Sequence, residues 1–176
     1  MSILERLGLR RPAALDEAPE MTETVRRLVR RLDDLEPERA RFIAGFASVL
    51  SRVARADLRV TEAETRAMER ITMEYGELPE AQAILVVQLA KSANLLLGGT
   101  ENYLVTRELA RIATRQQKLA LLDCLFAISA ADHAITTAEE NVIGQVAREL
   151  GLERADLVRV RRKFRDQRVV MQRPGD

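Results

Sequence analysis

The feature that most constrains this chain is an internal repeat. Displacing the sequence by 75 residues lays Ala56-Asp57-Leu58-Arg59-Val60-Thr61-Glu62-Ala63-Glu64 over Ala131-Asp132-His133-Ala134-Ile135-Thr136-Thr137-Ala138-Glu139, with the shared pattern A-D-x-x-[V/I]-T-x-A-E. The apolar phase agrees on either side. Phe46, Val49, Leu50 and Val53 match Leu121, Cys124, Leu125 and Ile128, while Met68 and Ile71 match Ile143 and Val146. Apolar residues at three- and four-residue intervals mark one face of a helix. Thr61 with Glu64, and Thr136 with Glu139, are capping boxes that start one. The unit is therefore a helix-loop-helix, present twice. The copies are separated by the segment between Gly76 and Ala113, so they predict a pseudo-twofold pair of hairpins packed face to face. A tandem solenoid would need three or more adjacent repeats.

Elsewhere glycine and proline fall between apolar-periodic segments, and alternating strand-like runs are absent. The fold class is all-α, a single-domain bundle of about eight helices built around the duplicated unit. A weak helix near 2–8 and a linker holding Pro12 and Pro19 come first. Helices follow at about 20–33, 37–56, 61–75, 79–97, 100–113, 114–131, 136–151 and 153–167. Residues 1–20 read as a flexible arm, 21–168 as the helical domain and 169–176 as a tail. Pro37 suits a first helical turn, Gly76 and Gly151 suit helix stops, and Phe42, Phe46, Val49, Leu50 and Val53 give one apolar face. The run Ile84 to Leu89 is apolar nearly all round, so its helix is expected to be central.

Composition narrows the class. With 176 residues and 47% of them hydrophobic, the chain can build a core without staples. A single cysteine, Cys124, and a single histidine, His133, allow neither an intramolecular disulfide nor a four-ligand Cys/His zinc site. No window approaches 18 uncharged apolar residues, and the opening is charged by its fifth residue, which gives neither a membrane span nor a secretory signal. A cytoplasmic protein is expected. A net charge of +1 supplies no global field for nucleic acid or anionic lipid. No phosphate-cradling loop, nucleophile elbow or paired-histidine motif occurs. Cys124 sits on an apolar helix face and reads as core, and His133 reads as an exposed loop residue. The chain is not expected to be an enzyme.

The repeated acids carry the one chemical signal. Each unit places an aspartate where one helix ends, Asp57 or Asp132, and a glutamate in the first turn of the next, Glu64 or Glu139. Oxygen ligands on a short loop suit a hard cation such as Ca²⁺ or Mg²⁺, and Glu62 and Glu140 add negative charge. An EF-hand is excluded, because its 12-residue loop needs oxygens at alternating positions and a central glycine. The same acids also serve as caps and loop formers, the glutamates answering Thr61 and Thr136 and the aspartates bonding nearby backbone N–H groups.

Helix, A-D-x-x-[V/I]-T-x-A-E loop, helix, repeated once and closing on Ala147 to Leu152, resembles the TerB-like family of tellurite-resistance proteins, related to the N-terminal region of the DjlA co-chaperones. The similarity covers about residues 40–165. It implies an all-helical, non-enzymatic stress-response module that binds a divalent cation, Ca²⁺ or Mg²⁺, through Asp57, Glu64, Asp132 and Glu139, and engages other stress-response proteins. The chain departs from the family in carrying Leu58 and His133 where members commonly have glycine, which tolerates a positive φ.

The last helix supports a different reading. Arg159, Arg161, Arg162, Lys163, Arg165 and Arg168 crowd one helix whose Leu157, Val160 and Phe164 form the other face. Such a helix could make the protein an adaptor for an acidic partner or nucleic acid. The scarcity of aromatics, 3% of residues, argues against nucleic acid, because base-stacking platforms are missing.

Overall fold

The structure, a computed structural model, describes residues 19–54, 61–92, 102–132 and 135–171. Eight helices and no strand lie among them: α1 Pro19–Asp33, α2 Pro37–Val53, α3 Glu62–Glu74, α4 Glu80–Lys91, α5 Asn102–Ile112, α6 Arg115–Asp132, α7 Thr137–Glu149 and α8 Arg154–Met171. The all-α reading holds. Pro19 belongs to α1 and not to a linker, since a proline lacking its N–H costs nothing in a first turn. The C-terminal helix runs to Met171, past the expected end near 167, because no glycine or proline interrupts it before Pro174. The expected helix at 2–8, and the parts of the 37–56 and 79–97 helices beyond Ala54 and Ser92, lie outside the described residues.

Two expectations change once the helices pack. The five residues assigned to one face of α2 are all buried, but burial continues without a break from Phe42 to Leu50. The cause is that α1, α4, α5, α6 and α7 all pack on α2. This helix is the axis of the molecule, and a helix surrounded by others has no solvent face. Gly45 allows α5 to come close, since a Cβ there would lie 3.0 Å from the Leu109 Cβ. Helix α3 ends at Glu74 with Tyr75 as its cap, just before Gly76 as expected, but the left-handed residue of the turn is Glu77, at φ 53°. Gly76 is buried, and a Cβ on it would lie 2.5 Å from the Thr72 carbonyl oxygen and 2.9 Å from Phe46 Cζ. It is needed for close approach. Gly151 does behave as expected. At φ 70° it donates its N–H to the Arg148 carbonyl while Leu152 donates to that of Ala147, closing α7 in a Schellman motif.

The two copies of the repeat interlock as a pseudo-twofold pair requires: α3 packs on α6, α2 on α7, and α2 on α6. Phe46, Val49, Leu50 and Val53 are buried, as are their counterparts Leu121, Cys124, Leu125 and Ile128. The same 75-residue offset continues one helix further. It lays α4 over α8 and pairs buried Leu85 with Val160 and buried Leu89 with Phe164. Helix α4 packs on α2, and α8 correspondingly packs on α6. The Phe164 ring stacks on Phe126 at 6.0 Å between centroids and meets Tyr75 at 5.5 Å.

Candidate functional site

Each repeated loop delivers the chain into a helix through a capping box, and the two boxes have the same geometry. At the start of α3, Oε2 of Glu64 accepts from the Thr61 backbone N–H and from the Thr61 hydroxyl, both at 2.7 Å. The Glu64 N–H donates to Thr61 Oγ1 at 3.2 Å. At the start of α7, Glu139 and Thr136 repeat these bonds at 2.7, 2.7 and 3.2 Å. The boxes satisfy N–H groups that a helix N-terminus leaves without intrahelical partners. The hydroxyl of Thr61, and then its backbone N–H, hold the Glu64 carboxyl below its ordinary range. The caps expected from the sequence are thus present.

The remaining ligand candidates are placed unevenly. Asp132 is the last residue of α6, as expected of an acid at a helix end, but its side chain lies outside the described residues. Asp57, Leu58 and His133 are wholly outside them. Of the two additional acids, Glu62 pairs with the exposed Arg66, at 3.5 Å, whereas Glu140 pairs with Arg161 on α8 at 2.9 Å. Among the described residues no three His, Cys, Asp or Glu side chains converge on a point. Each loop there offers one carboxylate oxygen, Oε1 of Glu64 or Glu139, that accepts no hydrogen bond from a described residue. A carboxylate oxygen fits a hard cation in kind, but one oxygen per loop is far from the six to eight that Ca²⁺ takes, so further ligands would have to come from Asp57 and Asp132.

Side chains not singled out in the sequence form two polar clamps. Arg52 of α2 forks onto Glu149 of α7, Nη1 to Oε2 at 2.6 Å and Nη2 to Oε1 at 3.2 Å, and also donates to Thr106 Oγ1 of α5 at 3.0 Å. Asp156, 4% exposed, accepts from Arg115 at 2.7 Å and from the Glu153 backbone N–H at 3.2 Å, fastening α8 to the start of α6. Asp156 takes the Glu153 N–H as the acid of a capping box does, but Glu153 is not the serine or threonine that marks such a box in a sequence. Nothing local marks Arg52 and Glu149 as partners, 97 positions apart.

The basic C-terminal helix is docked. Val160 and Phe164 are buried, Arg159 and Arg161 pair with Asp156 and Glu140, and the Lys163 ammonium lies 3.3 Å from Asp123 and over the Tyr75 ring at 5.5 Å. Much of its charge is engaged within the fold. Cys124 is fully buried, and burial pushes its thiol up to about 12, as befits a core position. No helix among the described residues is long and apolar enough to cross a membrane. A family model described as tellurite resistance protein TerB matches residues 42–162, well over half of the chain. No curated protein and no solved structure matches.

Proposed function

The chain belongs to the TerB family of tellurite-resistance proteins, and from that premise we propose that it is a non-enzymatic interaction module of the bacterial stress response, cytoplasmic, which takes up Ca²⁺ or Mg²⁺ at its two inter-helix loops. The observation that supports cation uptake is the duplicated geometry. Two loops that repeat the sequence A-D-x-x-[V/I]-T-x-A-E start their helices with the same capping box, and each leaves one glutamate oxygen that accepts no hydrogen bond from a described residue. Glu64 with Asp57, and Glu139 with Asp132, would hold the ion, and the ion would supply charge that ties the end of one helix to the start of the next. Tightening both hairpins biases how the two halves pack and so which surface meets a partner.

The test is a Ca²⁺ and Mg²⁺ titration of chelator-treated protein followed by residue-resolved amide NMR, with Asp57→Asn and Asp132→Asn alongside. Saturable shifts confined to residues 56–64 and 131–140, weakened by the substitutions, are the expected result. A flat titration at millimolar ion would leave the acids as caps and loop formers and remove the cation from the reading.

A further inference from the structure

The two halves of the molecule differ at one interface. In the first, α3 packs on α4. The corresponding pair in the second, α7 and α8, meets less closely: Glu140 and Arg161 pair across it at 2.9 Å, and a cleft of about 300 Å³ lies between the two helices. Its floor is apolar, with Gly144 and Ala147 from α7, Leu152 from the Schellman turn and Leu157 from α8, and the charged residues Arg148, Glu153 and Arg154 complete the lining. Small-molecule sites combine an apolar wall with several convergent polar groups, which this floor lacks. A groove between two helices floored by small and aliphatic residues is instead the shape that takes the apolar face of a helix.

Three observations bear on the occupant. Gly144 lies mid-helix, where glycine is unfavourable, yet a Cβ there would make only ordinary contacts, 3.7 Å to Leu157 Cδ2 and 3.8 Å to Arg148 Nη1. Internal packing requires Gly45 and Gly76 and a positive φ requires Gly151, but no close approach among the described residues requires Gly144. Val158, at 55%, is the most exposed of the large apolar side chains among the described residues, and it lies one helical turn from Arg154 at the cleft's edge. The rim is cationic. Arg148 and Arg154 line the cleft and Arg165 continues the exposed stripe of α8, none of them paired with a described carboxylate, against the single acid Glu153.

We propose that the groove between α7 and α8 docks an acidic amphipathic helix of a partner protein, its aliphatic side chains seated over Gly144, Ala147, Leu152 and Leu157 and its carboxylates on Arg148, Arg154 and Arg165. This deepens the interaction-module reading by naming the partner's chemistry, and it does not depend on cation uptake.

The experiment uses the full chain in chelator and a fluorescein-labelled helical peptide with leucines at i, i+3, i+4 and i+7 flanked by glutamates, beside a twin with lysines in their place. The expected result is saturable anisotropy with the glutamate peptide alone, falling with added salt, and amide shifts centred on residues 144–157. Gly144→Leu, which fills the floor, and the surface pair Arg148→Glu with Arg154→Glu should each weaken binding at least about tenfold, the second by setting like charges together. Circular dichroism confirms that each variant is folded. Absence of saturable binding, or equal binding of the lysine twin, overturns the proposal. So does concentration-dependent self-association mapped to the same residues, which would give the groove to a second copy of the chain. Working in chelator keeps this outcome separate from that of the cation titration.

Discussion

Glycine shows at the residue scale how one side chain, or its lack, is explained by different neighbours. At Gly76 an added methyl group meets a backbone carbonyl and the Phe46 ring, so Gly76→Ala should destabilise by about 1–3 kcal/mol as an overpacked site. At Gly144 the added group meets nothing closer than 3.7 Å, and Gly144→Ala should stabilise by about 0.5–1 kcal/mol through helix propensity. Urea midpoints of the two variants check the pair; a loss at Gly144 comparable to that at Gly76 would mean that α7 and α8 close on each other in solution. The threonines of the loops are explained within their own four residues, and Cys124 by burial, which leaves it protonated and inert.

Between elements, the Arg52–Glu149 clamp is the test of how α2, α5 and α7 are held. Both side chains are largely buried, 14% and 10% exposed. Removing one partner of such a pair strands a charge, so Arg52→Met should destabilise by about 3 kcal/mol, whereas Arg52→Met with Glu149→Met should recover much of the loss. Burial alone pushes the Glu149 carboxyl up, but the hydrogen bonds and charge of Arg52, with smaller help from Gln145 and Thr106, leave it below its ordinary value. A depressed carboxylate pKa adds stability that is complete above the unfolded value, near 4.3, and is lost as pH falls through the folded value. The gap between wild type and Arg52→Met should therefore narrow as pH drops below about 4. Urea unfolding at stepped pH measures it, and a gap that stayed constant would separate the clamp from the acid limb. The same scale governs α8. Val160 and Phe164 anchor it in the core, so charge reversal, not truncation, is the way to probe its arginines.

The whole molecule is one core shared by two interlocked copies, not two hairpins side by side. Phe46 is fully buried on α2, which touches both copies. Phe46→Ala should cost about 3–5 kcal/mol and lower amide-exchange protection in α6 and α7 as much as in α2. Protection lost in α2 and α3 alone would show that the halves unfold separately. The groove between α7 and α8 is a whole-molecule feature too, because it lies where the second copy packs less closely than the first.

What the sequence determined by itself was everything set by near neighbours along the chain. The helices follow from three- and four-residue apolar spacing, the starts of α3 and α7 from Thr61 with Glu64 and Thr136 with Glu139, and the end of α7 from Gly151. The duplication was legible for the same reason, since each copy repeats its own local pattern and Phe46, Val49, Leu50 and Val53 find their counterparts at a constant offset. Tertiary structure alone decided that α2 is the axis, that Gly76 also makes room for Phe46, and that α4 and α8 extend the repeat. It also paired Arg52 with Glu149 and opened the groove beside Gly144. Each of these depends on which surfaces meet across tens of residues. A helix's periodicity states that a face is buried, but not what buries it.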